Sequence, residues 1–181
     1  MGLSLDWYES VFEVIDLRSF SNLWYWIGLA VLWSSVSHWV LGVPYDTIMR
    51  ARRGKPESAM QDLQDNVRVC VNRILLITDV SGIWITLLVS AVGTALALFA
   101  FVYRIEFAQA VFLLVFPMAI LGLLSVRTAR IIRHDALEGA ELIKRLLRHR
   151  FATQGIGVVS IFVTAMYGMW INLWVGPFGG F

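Results

Sequence analysis

Four long stretches of the chain are nearly free of charged side chains, and polar segments separate them. These stretches predict transmembrane helices over residues 22–42, 74–102, 107–127 and 152–174, because a bilayer core needs about 20 apolar residues of helix to cross it. Only residues 103–106 join the second and third stretches, which predicts a tight helical hairpin. The predicted fold class is an all-α membrane protein with four transmembrane helices, built as a single membrane domain over residues 1–181.

The first residues follow a different pattern. Over residues 3–18, apolar side chains recur on one helical face, and acidic side chains occupy another: Asp6, Glu9, Glu13 and Asp16. A helix with two such faces lies in the plane of the membrane interface. The sequence therefore predicts an N-terminal amphipathic interfacial helix with an outer acidic patch. Two interpretations of the patch stay open: a solvated surface, or a site for a cation or a partner protein.

The polar segments, residues 43–73 and 127–150, are predicted to be largely helical. Met60, Leu63, Val67, Cys70 and Ile74 recur at helical spacing and lead directly into the second apolar stretch, which is the pattern of an amphipathic helix. A similar pattern follows the third stretch. The sequence thus predicts a helical cytoplasmic extension in which two helices continue beyond the membrane.

Charge placement predicts the orientation. Of the 15 Lys and Arg residues, 13 lie in the two polar segments, and loops rich in Lys and Arg face the cytoplasm. Both termini are therefore expected on the opposite side of the membrane. The composition also favours a membrane protein, since 58% of residues are hydrophobic and 15% are charged, against about 25% charged in soluble domains. The net charge of +2 gives no reason to expect a nucleic-acid partner.

Asp79 is the main candidate for a functional residue, because a carboxylate at membrane depth is costly and is commonly functional. It shares a helix with four other polar residues, and the candidate set is Asn72, Arg73, Asp79, Thr86 and Ser90. One interpretation is an ion path or a polar clasp between helices. The other is a structural carboxylate near the inner interface, tied to an arginine. Small residues on the same helix favour close helix packing but also suit a narrow aqueous path.

The basic segments are expected to bind anionic lipid headgroups, each well-placed cation contributing about 1 kcal/mol. The candidate contacts are Arg50, Arg52, Arg53, Lys55, Arg127, Arg130 and Arg133. Membrane lipids are therefore expected partners.

Catalytic and cofactor chemistry have little support in the sequence. Phosphate-loop, dinucleotide, zinc-protease and nucleophile-elbow motifs are missing, so no catalytic residue is predicted. Cys70 is the single cysteine, and His38, His134 and His149 lack ligand spacing, so neither a metal nor a cofactor is expected. The three histidines are expected to be interfacial and solvated.

Three segments carry a family resemblance: FEVIDLRSFSNLWYW at 12–26, SHWVLGVP at 37–44 and EFAQAVFLL at 106–114. In these the chain resembles a small family of four-span inner-membrane proteins of alphaproteobacteria, whose members are labelled as components of an iron–sulfur cluster assembly complex. The topology is also similar to a broader four-span family of unknown function. The resemblance implies the same membrane fold in a bacterial inner membrane, with both termini in the periplasm, and it supplies no catalytic residue.

These observations favour a non-enzymatic inner-membrane protein, acting as a self-assembling scaffold or as an accessory subunit of a membrane complex. The first alternative is a homo-oligomeric ion channel lined by the second transmembrane helix. Because four short spans enclose no wide path alone, a channel requires several copies around an axis. The second alternative is a membrane enzyme or haem carrier. The expected protein partners are further copies of the chain or a larger membrane complex.

Overall fold

The computed structural model describes residues 19–54 and 58–175, and these residues are predominantly helical. A short 3-10 helix, Ser19–Ser21, precedes α1 (Leu23–His38). A two-stranded hairpin of β1 (Trp39–Val40) and β2 (Val43–Pro44) leads into α2 (Tyr45–Arg53). The long helices α3 (Ala59–Ala97), α4 (Glu106–His134) and α5 (Gly139–Val175) follow. The predicted interfacial helix over 3–18 lies outside the described residues.

Three helices are long and apolar enough to cross a membrane. They are α3 together with the π-helical turn Leu98–Val102 that ends it, α4, and α5 over Gly139–Leu173. At about 1.5 Å per residue, even the 29 residues of α4 exceed the roughly 30 Å hydrocarbon core. These helices contain the predicted segments 74–102, 107–127 and 152–174. Each also continues into a polar segment without a break.

The prediction of a helix over 22–42 is wrong at its C-terminal end. Helix α1 has 16 residues and stops at His38, so it spans about 24 Å. The chain then turns at Leu41 and Gly42, whose φ angles of 54° and 84° are both positive. Two successive positive φ angles are typical of a type I′ turn, which joins antiparallel strands in the shortest hairpins. Val40 consequently pairs with Val43, and the apolar run is divided between helix and hairpin.

The largest buried cluster of the described residues lies among the polar segments, in a region that we call the basic lobe. It comprises the hairpin, α2, the first turns of α3, the last turns of α4 and the first turns of α5. Its buried apolar side chains are Val40, Leu41, Val43, Ile48, Ala51, Leu63, Val67, Val71, Leu75, Ala129, Ile132, Leu142, Ile143 and Leu146. Leu63, Val67 and Val71 are spaced four residues apart, which gives α3 one apolar face toward this core.

A smaller cluster joins α1 to the apolar halves of α4 and α5. Leu29 and Trp33 of α1 pack with Leu121 of α4. The Trp33 ring lies directly against the backbone of α5 at Gly157, where a Cβ would come within 2.8 Å of Trp33 Cε3. Nearer the start of α1, Phe20 lies against Gly168 in the same way. Helix α1 therefore runs antiparallel to the apolar half of α5 and in contact with it.

The link between α3 and α4 is short, as the sequence predicts. The π-helical turn ends at Val102, and α4 begins at Glu106. The side chain of Gln109 is buried, and its Nε2 donates a hydrogen bond of 2.9 Å to the carbonyl oxygen of Ala100 inside the π-helical turn. This bond satisfies a carbonyl that lies among apolar surroundings, where an unpaired polar group is costly.

Candidate functional site

Helix α3 carries the residues of the predicted ion path or helix clasp, and its membrane part contacts little of its own chain. In the most apolar 18-residue window of α3, 6% of residues are buried, against 28% for α4 and 17% for α5. Asp79, Thr86 and Ser90 are all exposed. They recur at intervals of seven and four residues, which places them on one helical face. We call this surface the outward face of α3.

Asp79 forms no hydrogen bond and no ion pair with any other described residue. Arg73, the arginine expected to hold it, is exposed and is not among the ion pairs of the described ranges. Asn72 is exposed as well. The five candidate residues therefore share one helix, but they do not converge on an enclosed site within one chain.

The hydroxyl group of Thr86 already has a partner in its own helix. Its Oγ1 donates a hydrogen bond of 2.8 Å to the carbonyl oxygen of Gly82. Thr78, eight residues earlier, makes the same bond to the carbonyl oxygen of Ile74. Such bonds let hydroxyl groups face apolar surroundings, because the donor is satisfied without water.

The glycines on the outward face of α3 are open. A Cβ at Gly93 would meet nothing within 4 Å, and one at Gly82 would touch only Thr78 of the same helix. By contrast, Gly157 and Gly168 of α5 lie against the aromatic rings of Trp33 and Phe20. The chain thus uses these two α5 glycines for its own packing and leaves Gly82 and Gly93 of α3 uncovered.

A cleft of about 370 Å³ lies where the basic lobe meets the apolar helices. Its polar lining comes from five residues, Ser35, Arg73, Ser125, His149 and Thr153. Side chains from α1, α3, α4 and α5 therefore meet here, and no pattern in the sequence predicts this meeting. The only predicted site residue in this set is Arg73.

His149 is a buried lining residue of this cleft, so the expectation that it is solvated is wrong. Its side chain is 6% exposed, and its Nδ1 lies 3.2 Å from Oγ1 of the buried Thr128. Burial lowers the pKa of His149 to about 4, and the nearby positive charge of Arg145 acts in the same direction. His149 lies among the basic residues of α5 before the uncharged stretch begins at Phe151, and it is neutral at pH 7. His38 and His134 are exposed, as expected.

A sequence signal for the burial of His149 does exist. Leu142, Leu146, His149 and Thr153 follow one another at intervals of four, three and four residues, which is the spacing of a single helical face. All four are buried. The histidine therefore continues the core face of α5, although its neighbours in sequence are cationic.

The predicted anionic-lipid contacts lie on the surface of the basic lobe. Arg50, Arg52 and Arg53 of α2 are exposed, as are Arg127, Arg130 and Arg133 of α4. Within the described ranges the ion pairs are Arg68 with Asp65 and His134 with Asp135, so these six guanidinium groups pair with no described carboxylate. Lys55 and the acidic patch Asp6, Glu9, Glu13 and Asp16 lie outside the part of the chain that the structure describes.

Neither metal ligands nor known proteins supply an assignment. Across residues 19–54 and 58–175, no three His, Cys, Asp or Glu side chains come together as a metal site would require. No family model, curated protein or solved structure matches the chain. The function is therefore argued from the geometry of the helices and of the basic lobe.

Proposed function

We propose that the protein is a non-enzymatic scaffold or accessory subunit of the bacterial inner membrane, and that it assembles with further copies of itself through the outward face of α3. The observation that carries the proposal is the uncovered state of this face, where Asp79, Thr86 and Ser90 are exposed and the glycines are open. A lipid-facing helix gains nothing from small or acidic residues. A second helix can approach closely at such positions, and it would cover the polar groups.

The proposal includes a four-span topology. Helix α1 alone is short for a bilayer, but it lies beside the apolar half of α5, as the contacts of Trp33 with Gly157 and of Phe20 with Gly168 indicate. Those contacts support a position at membrane depth. Under this proposal the basic lobe faces the cytoplasm, both termini face the periplasm, and residues 3–18 lie on the outer interface. The resemblance to the alphaproteobacterial inner-membrane family is part of the same proposal.

The first test is the native mass of the full chain after extraction in mild detergent. We expect one closed homo-oligomer, because a self-complementary face generates a closed assembly. Ser90→Trp adds a large side chain on the outward face and should release monomers. Leu88→Trp is the matched control, since Leu88 is also exposed but lies on the opposite side of α3. A monomeric native chain contradicts self-assembly, and a stable complex with other chains favours the accessory subunit.

An ion channel lined by α3 is the second candidate function. The observation that favours it is that the Asp79 carboxylate shares one uncovered helical face with Thr86 and Ser90, which could line a narrow path at the axis of an oligomer. The test is ion flux into vesicles that contain the purified oligomer. Asp79→Asn should change the flux while the native mass stays constant. If the native oligomer conducts no ions, or if Asp79→Asn only weakens assembly, the channel is ruled out.

A further inference from the structure

A groove of about 670 Å³ lies in the basic lobe between the end of α2 and the first turns of α5. Its lining divides into two chemical classes. The apolar residues are Ala51, Met60, Ala140, Ile143, Leu147 and Phe151, and the cationic residues are Arg52, Lys144 and Arg148. We propose that this groove binds one anionic phospholipid of the adjoining membrane leaflet, with the phosphate on the three cations and an acyl chain on the apolar residues.

The cationic rim is arranged to hold an anion. Lys144 and Arg148 are four residues apart on α5, so their side chains are neighbours on one helical face. Arg52 approaches from α2 across the groove. Two like charges at this helical spacing repel each other. No carboxylate is among the described lining residues, and none of the three cations belongs to an ion pair of the described ranges.

The apolar part of the groove explains why the occupant is a lipid and not free phosphate. Phe151 is 71% exposed, and it is the first residue of the uncharged stretch that continues through the rest of the chain. The groove therefore opens toward the apolar half of α5. A phosphate ion would neutralise the rim and leave Phe151 uncovered, whereas a phospholipid presents an anion and an apolar chain joined in that order.

The site is distinct from the diffuse basic surface and from the outward face of α3. Of the predicted lipid contacts that the structure describes, only Arg52 lines the groove, and Lys144 and Arg148 were not among them. The α3 residues Asp79, Thr86 and Ser90 are not part of its lining. The inference does not depend on self-assembly, because both sides of the groove come from one chain.

The experiment measures binding of dioctanoyl phosphatidylglycerol to the full chain in a nonionic detergent, by native mass spectrometry. Lys144→Gln/Arg148→Gln should weaken binding by about 25-fold, since each cation near an anionic lipid contributes roughly five-fold in affinity. Arg68→Gln/Arg104→Gln removes the same charge from exposed positions outside the groove and should weaken binding by less than about three-fold.

A second pair of variants tests the apolar part. Phe151→Ala should weaken binding by about ten-fold, because the ring would lose its contact with an acyl chain. Phe162→Ala is the matched control, an exposed phenylalanine further along α5 and outside the groove, and it should change the affinity less than two-fold. Both variants alter exposed residues, and circular dichroism verifies that they keep the helical content of the native chain.

The outcomes separate the alternatives. Selective loss in the groove variants, together with weak binding of dioctanoyl phosphatidylcholine, supports the site. An equal loss of affinity in the groove double variant and in the control double variant means that surface charge in general holds the lipid. That result overturns the proposal. If inorganic phosphate binds as tightly as dioctanoyl phosphatidylglycerol, the occupant is not a lipid and the proposal is overturned. An unchanged affinity for the lipid in Lys144→Gln/Arg148→Gln also overturns the proposal.

Discussion

The guanidinium carbon of Arg150 lies 3.3 Å from the centroid of the Tyr45 ring. Tyr45 is the first residue of α2, and Arg150 is the last charged residue of α5 before its apolar half. The contact therefore fixes α2 to α5 at the margin of the basic lobe. Nη1 of Arg150 is buried without a hydrogen-bond partner among the described residues, so the ring face is the main interaction that stabilises this charge.

Replacement of the Tyr45 ring should loosen the basic lobe. Tyr45→Leu removes the cation–π contact and is expected to lower the free energy of unfolding by about 1–2 kcal/mol, the usual value for a partly desolvated pair. Tyr45→Phe keeps the ring face and should retain most of the stability. Thermal unfolding of the detergent-solubilised chain measures both. An equal loss in the two variants would mean that the hydroxyl group, and not the ring, is what matters.

The buried His149 should make stability depend on pH. Its pKa in the folded chain, about 4, lies below the value of about 6.5 for an unperturbed histidine, so the unfolded chain binds the proton more tightly. The contribution of neutral His149 is complete above pH ~6.5 and is lost progressively as the pH falls toward ~4.

The measurement is thermal unfolding at a series of pH values between these limits. His149→Gln should flatten the pH dependence in that window, because the side chain no longer titrates. His38→Gln is the control, since His38 is exposed and belongs to no ion pair of the described residues, and its removal should leave the slope unchanged. If the slope persists in His149→Gln, the titrating group is elsewhere.

Two glycines of α5 should respond oppositely to alanine. At Gly157 a Cβ would lie 2.8 Å from Cε3 of Trp33, a ring that is 4% exposed and cannot move aside easily. Gly157→Ala should therefore destabilise the chain by about 1–3 kcal/mol through overpacking. At Gly155 nothing lies within 4 Å, and Gly155→Ala should be neutral or stabilising by up to about 1 kcal/mol because it favours the helix. Comparable melting temperatures in the two variants would contradict the packing of α1 on α5.

The 3-10 helix before α1 should depend on one carboxylate. The backbone N–H of Phe20 donates a hydrogen bond of 2.8 Å to Oε1 of Glu106, the first residue of α4. Glu106→Ala leaves this buried donor unpaired and should cost about 1–3 kcal/mol, whereas Glu106→Gln keeps an acceptor oxygen. Unfolding in detergent compares the two. Equal losses would indicate that the negative charge at the start of α4 matters more than the bond.

The sequence predicted the long helices well because their signals are local. Charge-free runs marked the three helices that can span a membrane, and the spacing of Leu63, Val67 and Cys70 marked the continuation of α3 into the polar segment. The hairpin after α1 was missed because the apolar run continues through it, and only the positive φ angles at Leu41 and Gly42 divide it. Hydropathy is insensitive to such a turn.

The sites were harder to predict because they depend on contacts between distant segments. The cleft around His149 joins residues from α1, α3, α4 and α5, and the groove joins Arg52 to Lys144 and Arg148. The spacing of residues along one helix does not indicate which residues of other helices they contact. Asp79 was a candidate from the sequence because its signal, a carboxylate beside an apolar run, lies within a single helix, and its role stays a prediction. Only the structure shows that Asp79 pairs with no other described residue.

The core of the basic lobe also determines how late during synthesis the fold can be completed. Its buried residues up to Leu75 precede the α3–α4 hairpin, whereas Leu142, Ile143 and Leu146 follow it. At roughly 5–20 residues per second, the ribosome needs about 4–14 s to add the intervening 70 or so residues. During that time the nascent chain carries the long apolar helices α3 and α4 and an unfinished apolar surface. Translation that stops before Leu146 leaves this surface permanently uncovered, as a target for chaperones and proteases.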